Sequence, residues 1–159
     1  MIVGVTGSRT FTDEQKIRAV LDAFAFGATS GHYETFTVRH GAASDGADEI
    51  ADRWVRDWHV PELQVTADRW PAKWSEGRGA GFARNRQMVY AEPRVDMWLA
   101  FLDLCRKPSC PQRLQHTSHG ATHCAELARD AGFPMRVFHL GDPQVFPLGM
   151  SADEAREMP

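Results

Sequence analysis

The stretch that decides the fold is "IVGVTGSRT" (2–10), which opens with a short apolar run and turns at Gly7. An apolar run of this length that ends at a glycine is typical of a buried β-strand. Acidic residues then begin "DEQKIRAVLDAFAF" (13–26), in which apolar side chains recur at helical spacing. We therefore predict a strand over residues 2–6 and a helix over residues 13–26.

The same alternation of strand and helix continues along the chain. Further strands are predicted over 34–40, 62–67, 95–101 and 135–140, and further helices over 45–58, 82–91 and 120–132. Such a succession forms a parallel sheet with helices on both faces, joined by right-handed crossovers. We expect an α/β, Rossmann-like three-layer sandwich with a parallel five-stranded sheet in the order 3-2-1-4-5. Ligands bind such sheets where strands 1 and 4 end, because the strand order reverses between them.

Length and composition fit one globular domain. The 159 residues, of which 25% are charged and 43% hydrophobic, suffice to bury a core. We predict a folded domain over residues 1–141 and, because prolines recur after it, an extended tail over residues 142–159. The formal charge of −3 argues against nucleic acid as a partner, since surfaces that follow a phosphate backbone are basic.

Cysteine usage and the apolar segments predict a cytoplasmic protein. Three cysteines are an odd number, which suits reduced thiols better than a disulfide framework. The first apolar run is short and lacks the basic residues of a secretion signal. No apolar run approaches the roughly 20 residues of a membrane helix, so we expect no membrane partner. The sequence is compatible with a monomer and with a homo-oligomer.

Four loops at one edge of the predicted sheet combine glycine with serine, threonine, arginine or asparagine. Three of them follow strands 1, 2 and 4, and the fourth, "AGFARNRQM" (80–88), precedes strand 4. Free backbone N–H groups at a helix start attract a phosphate, and arginine adds a two-pronged donor. Each loop alone is weak evidence, because Asp45 could simply cap the second helix. The residues predicted to bind a nucleotide are Gly7, Ser8, Arg9, His40, Gly41, Ala42, Asp45, Gly46, Asp48, Arg84, Asn85, Ser118, Gly120, Ala121 and Thr122.

The ordered set of motifs resembles the YspA-type, cpYpsA-related branch of the SLOG superfamily, a DUF2493-like group. The resemblance covers about residues 2–140, and it rests on "GSR" after strand 1, "HGAASDGADEIAD" (40–52), "ADRW" (67–70), "AGFARNRQM" (80–88) and a Gly-Ala-Thr helix start. It implies a Rossmann-like domain that binds a nucleotide-derived small molecule of the NAD, ADP-ribose or signalling-nucleotide class. It also implies a role as a sensor in a phage or bacterial conflict system.

The superfamily also contains the LOG phosphoribohydrolases and the DprA/Smf proteins, and these imply two other functions. Residues 84–88 are similar to the Arg-Lys-x-x-Met string of LOG enzymes, and residues 120–126 are similar to their Gly-Gly-x-Gly-Thr-x-x-Glu string. In a nucleotide N-glycosidase of this type, Arg84 and Glu126 would be the catalytic residues. The other candidate carboxylates are Asp45 and Asp48. Single-stranded DNA binding of the DprA type needs a basic stripe, which the acidic balance disfavours.

Helical spacing predicts which side chains of the arginine-rich stretch (80–88) point toward the ligand crevice. If Arg84 faces the ligand crevice, Arg86 points elsewhere, since successive helical positions differ by about 100°. Met88 would then pack beneath Arg84. A nucleobase could stack on Trp70 or Trp74, although packing is the simpler role for both.

The irregular segment over residues 102–118 contains four metal-binding side chains. Their pattern is Cys105-x4-Cys110-x5-His116-x2-His119, and two thiolates with two imidazoles match the four ligands of a tetrahedral zinc ion. The alternative is a loop without metal, because the spacing between the two cysteines is at the wide limit for zinc. Structural zinc is the one cofactor that the sequence indicates.

Overall fold

The computed structural model describes residues 1–112 and 114–142, so the predicted tail lies almost wholly outside the described residues. Strands and helices alternate along the described chain, with a short 3-10 turn between the third strand and the third helix. The elements are β1 (Ile2–Gly7), α1 (Glu14–Ser30), β2 (Thr35–His40), α2 (Ala47–Asp57), β3 (Gln64–Arg69), the 3-10 turn (Trp74–Glu76), α3 (Ala80–Val89), β4 (Met97–Leu102), α4 (His119–Asp130) and β5 (Met135–His139).

The sheet has five strands in the order β3-β2-β1-β4-β5. All four pairs of neighbouring strands are parallel. In the centre, Val5 of β1 lies opposite His40 of β2 on one side and opposite Leu99 of β4 on the other. The predicted fold class and strand order are thereby confirmed, and the order reverses between β1 and β4.

Two layers of helices cover the sheet, and β4 shows why its sequence is apolar throughout. Successive residues of a strand point to opposite faces. Leu99 and Phe101 belong to the core beside α1 and α2, whereas Trp98 belongs to the core beside α3 and α4. All three are fully buried. A strand that is covered on both faces needs an apolar side chain at nearly every position.

Several predicted boundaries differ from the observed ones for local reasons. Helix α1 continues past its predicted end at residue 26, and the Thr29 and Ser30 hydroxyls donate to the carbonyl oxygens of Ala25 and Phe26 in its last turn. Strand β3 begins and ends two residues later than predicted, because it stays paired with β2 to its end. Among the described helices, none has the length and apolar character needed to cross a membrane.

Candidate functional site

A cavity of about 600 Å³ opens at the carboxyl ends of β1 and β4. Its volume lies within the range of about 300–1,000 Å³ that small-molecule sites occupy. It lies at the edge of the sheet where the strand order predicts ligand binding. Of the residues predicted to bind a nucleotide, those that line it are Gly7, Arg9, Gly41, Asp48, Arg84, Asn85, Ser118, Gly120 and Ala121.

The lining of this cavity is strongly cationic, although the chain as a whole is acidic. The cationic lining residues are Arg9, Arg78, Arg84, Arg106 and Lys107. Asp48 is the one carboxylate among the described lining residues. Because clefts lined by one sign of charge focus the field, this cavity attracts anions in a protein of formal charge −3.

Arg84 is held at the base of the cavity by its neighbours. Its Nη1 donates to the carbonyl oxygen of Trp70 at 3.1 Å and lies 3.9 Å from a carboxylate oxygen of Asp48. The guanidinium fills the space beside Gly41, where a Cβ atom would overlap it. Its Nε is buried and makes no hydrogen bond to the described residues. Arg84 therefore keeps an unused donor in a position that its surroundings fix.

The neighbours of Arg84 on α3 have the orientations that helical spacing predicts. Arg86 is exposed and is absent from the cavity lining. Met88 is buried and lines the cavity together with Arg84. Asn85 is also buried, and its side-chain amide donates to the carbonyl oxygen of Gly120 at 2.9 Å, which joins α3 to the start of α4.

Asp48 is a buried carboxylate that faces the cavity. Burial raises its pKa above the usual range, and the charges of Arg84 and His40 and the N–H of Ala43 oppose that rise. The Ala43 N–H donates to a carboxylate oxygen of Asp48 at 3.2 Å, so Asp48 also holds the turn between β2 and α2. A carboxyl group with a raised pKa beside an arginine has the properties of an acid–base group.

His40 supports the turn between β2 and α2 through hydrogen bonds and does not line the cavity. It is buried, its Nδ1 accepts the N–H of Ala42 at 3.2 Å, and its Nε2 lies 3.1 Å from Asp52. Burial lowers the pKa of His40, against the opposing effects of Asp48 and Asp52. The neutral ring can therefore accept the Ala42 N–H while it donates to Asp52.

The other predicted residues outside the lining lie in the framework of the loops. Gly46 has a φ of 69° and lies against the Ser8 carbonyl, where a side chain would collide. The Ser8 hydroxyl accepts the N–H of Asp103 at 2.9 Å and so ties β1 to the end of β4. The Thr122 hydroxyl pairs with that of Thr117. Asp45 accepts a hydrogen bond from Ser44, and α2 has no side-chain cap, so Asp45 does not cap that helix.

Two aromatic rings lie exposed at the mouth of the cavity. Trp74 is 58% exposed, and the Arg9 guanidinium lies 5.8 Å from its ring centroid. Phe82 is also exposed and meets the ring of His123 edge-on. Trp70 differs from both, since it packs against the core beside α3 and α4 and does not line the cavity.

The four predicted metal-binding side chains converge after β4. The ligand atoms of Cys105, Cys110, His116 and His119 all lie within 4.8 Å of one another. The Cys110 Sγ is 3.4 Å from Nε2 of His116 and 3.1 Å from Nε2 of His119, and the two nitrogens are 3.2 Å apart. Ligand atoms around a tetrahedral zinc ion lie about 3.3–3.8 Å apart, because bonds to zinc are about 2.0–2.3 Å long. The three distances among Cys110, His116 and His119 are close to that geometry, and the Cys105 Sγ lies within 4.8 Å of the other three ligand atoms.

One further detail supports a metal-binding cluster, and the third cysteine of the chain lies outside it. His116 Nδ1 lies 2.8 Å from the Leu114 carbonyl oxygen, which keeps the ring proton on Nδ1 and leaves Nε2 free to bind metal. The third cysteine, Cys124, is fully buried elsewhere, and burial raises the pKa of its thiol to about 12. Cys124 therefore belongs to the core.

Comparisons with known proteins agree with the fold and the loops. The chain matches the model of the YspA, cpYpsA-related SLOG family over residues 1–72, which include β1, β2, β3 and their loops. It is also 36% identical over 139 residues to the Gene 61 protein of Mycobacterium phage D29, covering 87% of this chain and 94% of that protein. The chain belongs to the YspA, cpYpsA-related SLOG family. Membership of this family is consistent with a nucleotide-related function. No solved structure matches the chain.

The position of Glu126, predicted as a catalytic candidate, differs from that of Asp48. Helix α4 buries Ala121, Cys124, Ala125 and Ala128 on one side, and Glu126 is exposed outside that side. Glu126 does not line the cavity. Of the three candidate carboxylates, Asp48 alone lines it among the described residues.

Sequence reasoning missed the cationic residues that follow β4. Arg106 and Lys107 lie in the segment for which the sequence predicts either a zinc site or a loop without metal, yet both line the cavity. The signal was present, because the rule that directs attention to the carboxyl ends of strands applies to β4 as well. Phe82 was missed because an aromatic residue in an amphipathic helix is ordinarily assigned to the core.

Proposed function

We propose that this cavity binds a nucleotide or a nucleotide-derived small molecule that carries phosphate, of the NAD, ADP-ribose or signalling-nucleotide class. The observation that carries the proposal is a lining with five cationic side chains and one carboxylate at the switch point of the sheet. Arginine and lysine pair with phosphate, and arginine does so through a planar, two-pronged donor.

The two ends of the cavity would recognise different parts of the molecule. The Arg84 side chain is only 16% exposed, lines the less exposed part of the cavity and offers its guanidinium as a donor for phosphate. Trp74 and Phe82 offer flat rings at the mouth, where a nucleobase can stack. Arg9 also lines the cavity, and its guanidinium lies 5.8 Å from the centroid of the Trp74 ring.

A thermal-shift screen of AMP, ADP, cyclic nucleotides, NAD and ADP-ribose tests the proposal. At 100 times its dissociation constant, a ligand stabilises the folded state by about 2.7 kcal/mol. We expect at least one phosphorylated compound to raise the melting temperature, and adenosine without phosphate to raise it less. Arg9→Ala should diminish the shift, while Arg86→Ala, whose side chain lies outside the cavity, should preserve it. The absence of any shift at millimolar concentration would contradict the proposal.

Hydrolysis of an N-glycosidic bond is a second candidate function, and the position of Asp48 favours it. Asp48 is a buried carboxylate beside Arg84 that lines the cavity and has a raised pKa. Such a group could stabilise a cationic sugar or activate water. Incubation with NAD and nucleoside monophosphates should then release a free base, and Asp48→Asn should abolish the release. Tight binding without any released base would leave binding as the function.

We also propose that the cluster of two cysteines and two histidines holds a structural zinc ion. Four protein ligands leave no open position, which is the arrangement of structural zinc and not of catalytic zinc. Protein purified without added metal should contain about one equivalent of zinc, and Cys110→Ser should contain much less. Cys124→Ala serves as the matched control, because this cysteine lies outside the cluster and should leave the zinc content unchanged.

One broader role follows from the same proposal. A small-molecule site in a protein with a phage relative supports the predicted function as a sensor in a phage or bacterial conflict system. Cytoplasmic location stays a prediction from cysteine usage.

A further inference from the structure

The cluster formed by Cys105, Cys110, His116 and His119, here called the metal cluster, is also part of the cavity wall. Two of its members, Cys105 and His119, line the cavity with their own atoms. Arg106 and Lys107 follow Cys105 directly and contribute two of the five cationic lining residues. The segment over residues 105–110 therefore belongs both to the metal cluster and to the anion-attracting surface.

Among the residues that the structure describes, backbone contacts with the rest of the chain hold this segment only at its base. Leu104 forms an antiparallel bridge with Thr117, and the Cys105 N–H donates to the His116 carbonyl at 2.8 Å. Farther out, the described backbone contacts are reduced to a turn in which the Cys110 N–H donates to the Lys107 carbonyl.

Apolar packing adds little to the segment. Leu104 is 37% exposed and Leu114 is 86% exposed. Arg106 donates two hydrogen bonds to the buried Asp103 carboxylate, at 3.0 and 3.4 Å, and this ion pair orients the Arg106 side chain although 60% of that side chain is exposed. Beyond this ion pair, the four-way convergence of the metal cluster is the main constraint among the described residues on where the segment over residues 105–110 lies.

We propose that metal bound at this cluster builds one wall of the nucleotide cavity, so that the protein binds nucleotide in a metal-dependent manner. The inference rests on the proposed nucleotide binding and on the proposed zinc ion. Without metal, the segment loses its constraint, and ordering it again would consume part of the binding free energy. With metal, Arg106 and Lys107 are already positioned against the phosphate groups.

Thermodynamic linkage makes the dependence reciprocal. If metal raises the affinity for nucleotide by some factor, nucleotide raises the affinity for metal by the same factor. The coupling can therefore be measured either as the effect of metal on nucleotide affinity or as the effect of nucleotide on metal affinity. The second measurement can be made on wild-type protein alone.

The first experiment titrates ADP-ribose, NAD and AMP into three samples of the full chain, followed by calorimetry. The samples are zinc-loaded protein, protein stripped with a chelator that is then removed, and stripped protein with zinc restored. We expect stripped protein to bind at least roughly tenfold more weakly, which corresponds to about 1.4 kcal/mol, and restored zinc to recover the affinity. Cys110→Ser and His116→Ala each remove a metal ligand, so both variants should bind nucleotide as weakly as stripped protein. Neither residue lines the cavity, so this loss would act through the metal and not through a lost contact with nucleotide. Cys124→Ala should behave like zinc-loaded protein.

Two outcomes separate the inference from the function on which it rests. If zinc-loaded protein binds none of the three compounds, the proposed function and this inference both fail. If zinc-loaded and stripped protein bind with equal affinity, the function stands and the metal dependence is overturned.

The second experiment uses wild-type protein alone, in case the stripped protein or the variants do not fold. Zinc is withdrawn by a coloured chelator in competition, with and without saturating ADP-ribose, NAD or AMP. A higher apparent zinc affinity in the presence of a bound compound supports the coupling, and an unchanged affinity overturns it. The same mixtures without protein correct for zinc bound by the compounds themselves.

Discussion

The guanidinium of Arg84 occupies the space that the missing side chain of Gly41 leaves open. A Cβ atom at position 41 would overlap the Nη1 and Cζ atoms of Arg84. The two residues belong to different elements, since Gly41 follows β2 and Arg84 lies on α3. The absence of a side chain at Gly41 thus leaves the space that the Arg84 guanidinium occupies in the cavity lining.

The Gly41→Ala variant should bind nucleotide more weakly than the wild-type protein. The added methyl group displaces the Arg84 guanidinium, so a charge-assisted hydrogen bond worth about 1.5–3 kcal/mol is lost or distorted. Calorimetric titration with ADP-ribose or the best compound of the screen measures the change. Gly27→Ala is the matched control, because a Cβ atom at this exposed position of α1 meets no neighbour within 4 Å. Equal binding by both variants would contradict the role given to the close approach.

Substitutions of Arg84 should affect both binding and stability. Arg84→Ala should weaken nucleotide binding by about 1.5–3 kcal/mol, while Arg84→Lys should restore only part, because lysine keeps the charge and loses the planar fork. Arg84→Ala should also lower the free energy of unfolding, since Asp48 then stays buried without the cation that most lowers its pKa. Chemical denaturation and calorimetry measure the two effects. Arg86→Ala should alter neither nucleotide affinity nor the free energy of unfolding. Equal effects of the alanine substitutions at positions 84 and 86 would indicate that Arg84 belongs to a solvated helix face.

The fold could be predicted because the periodicity of the sequence is strong and the rules of parallel sheets leave few alternatives. The apolar run of β4 indicates a strand covered on both faces, and the alternation of strands and helices predicts a parallel sheet with right-handed crossovers, for which 3-2-1-4-5 is the expected strand order. Element ends were less predictable. Strand β3 extends to Arg69 because it pairs with His40, and this partner lies 29 residues away in the sequence. The residues around Arg69 carry no pattern from which a pairing with so distant a partner could be predicted.

The residues of the candidate site can be predicted from the sequence where a motif marks a backbone turn. They are harder to predict where the direction of a side chain decides whether it reaches the cavity. Gly7 ends β1, Gly41 follows β2, and the Arg84 guanidinium lies beside Gly41, so all three residues line the cavity. Glu126 is exposed, and Asp48 is buried beside Arg84. Spacing within one helix cannot reveal which carboxylate meets an arginine from another element. The convergence of Cys105 with His119 followed from type and spacing, whereas its position in the cavity wall did not.

Removing the exposed ring at the mouth of the cavity should weaken nucleotide binding and leave stability nearly unchanged. Trp74→Ala loses the stacking of one base, which is worth about 1–3 kcal/mol, and Trp74→Phe should retain part of it. Comparison of AMP with ribose 5-phosphate isolates the effect, because only AMP carries a base. Tyr90→Ala removes an equally exposed ring at the end of α3, outside the cavity lining, and should have no effect. Identical losses for AMP and ribose 5-phosphate would rule out stacking on Trp74.

The stability of the protein should depend on pH through Asp48. Burial raises the pKa of this carboxyl group in the folded state, so the folded protein retains a proton that the unfolded chain has already released. The free energy of unfolding therefore falls as pH rises from about 4 through the folded pKa, because the folded state binds more protons than the unfolded state in that interval. Asp48→Asn carries no titrating group and lacks this contribution.

The difference in free energy of unfolding between Asp48→Asn and wild type should accordingly grow in favour of the variant as pH increases from about 4 toward neutrality. Urea denaturation of both proteins at several pH values measures it. Asp52→Asn provides a control of opposite sign: although burial opposes it, bonds and charges from Arg69, His40 and Arg56 lower the pKa of Asp52. That variant should lose stability relative to wild type as pH rises through the lowered pKa to about 4, which is below the interval in which Asp48 titrates. If the Asp48→Asn difference instead shrinks with rising pH, Arg84 outweighs burial, and Asp48 is held as a permanent carboxylate that cannot act as a proton donor.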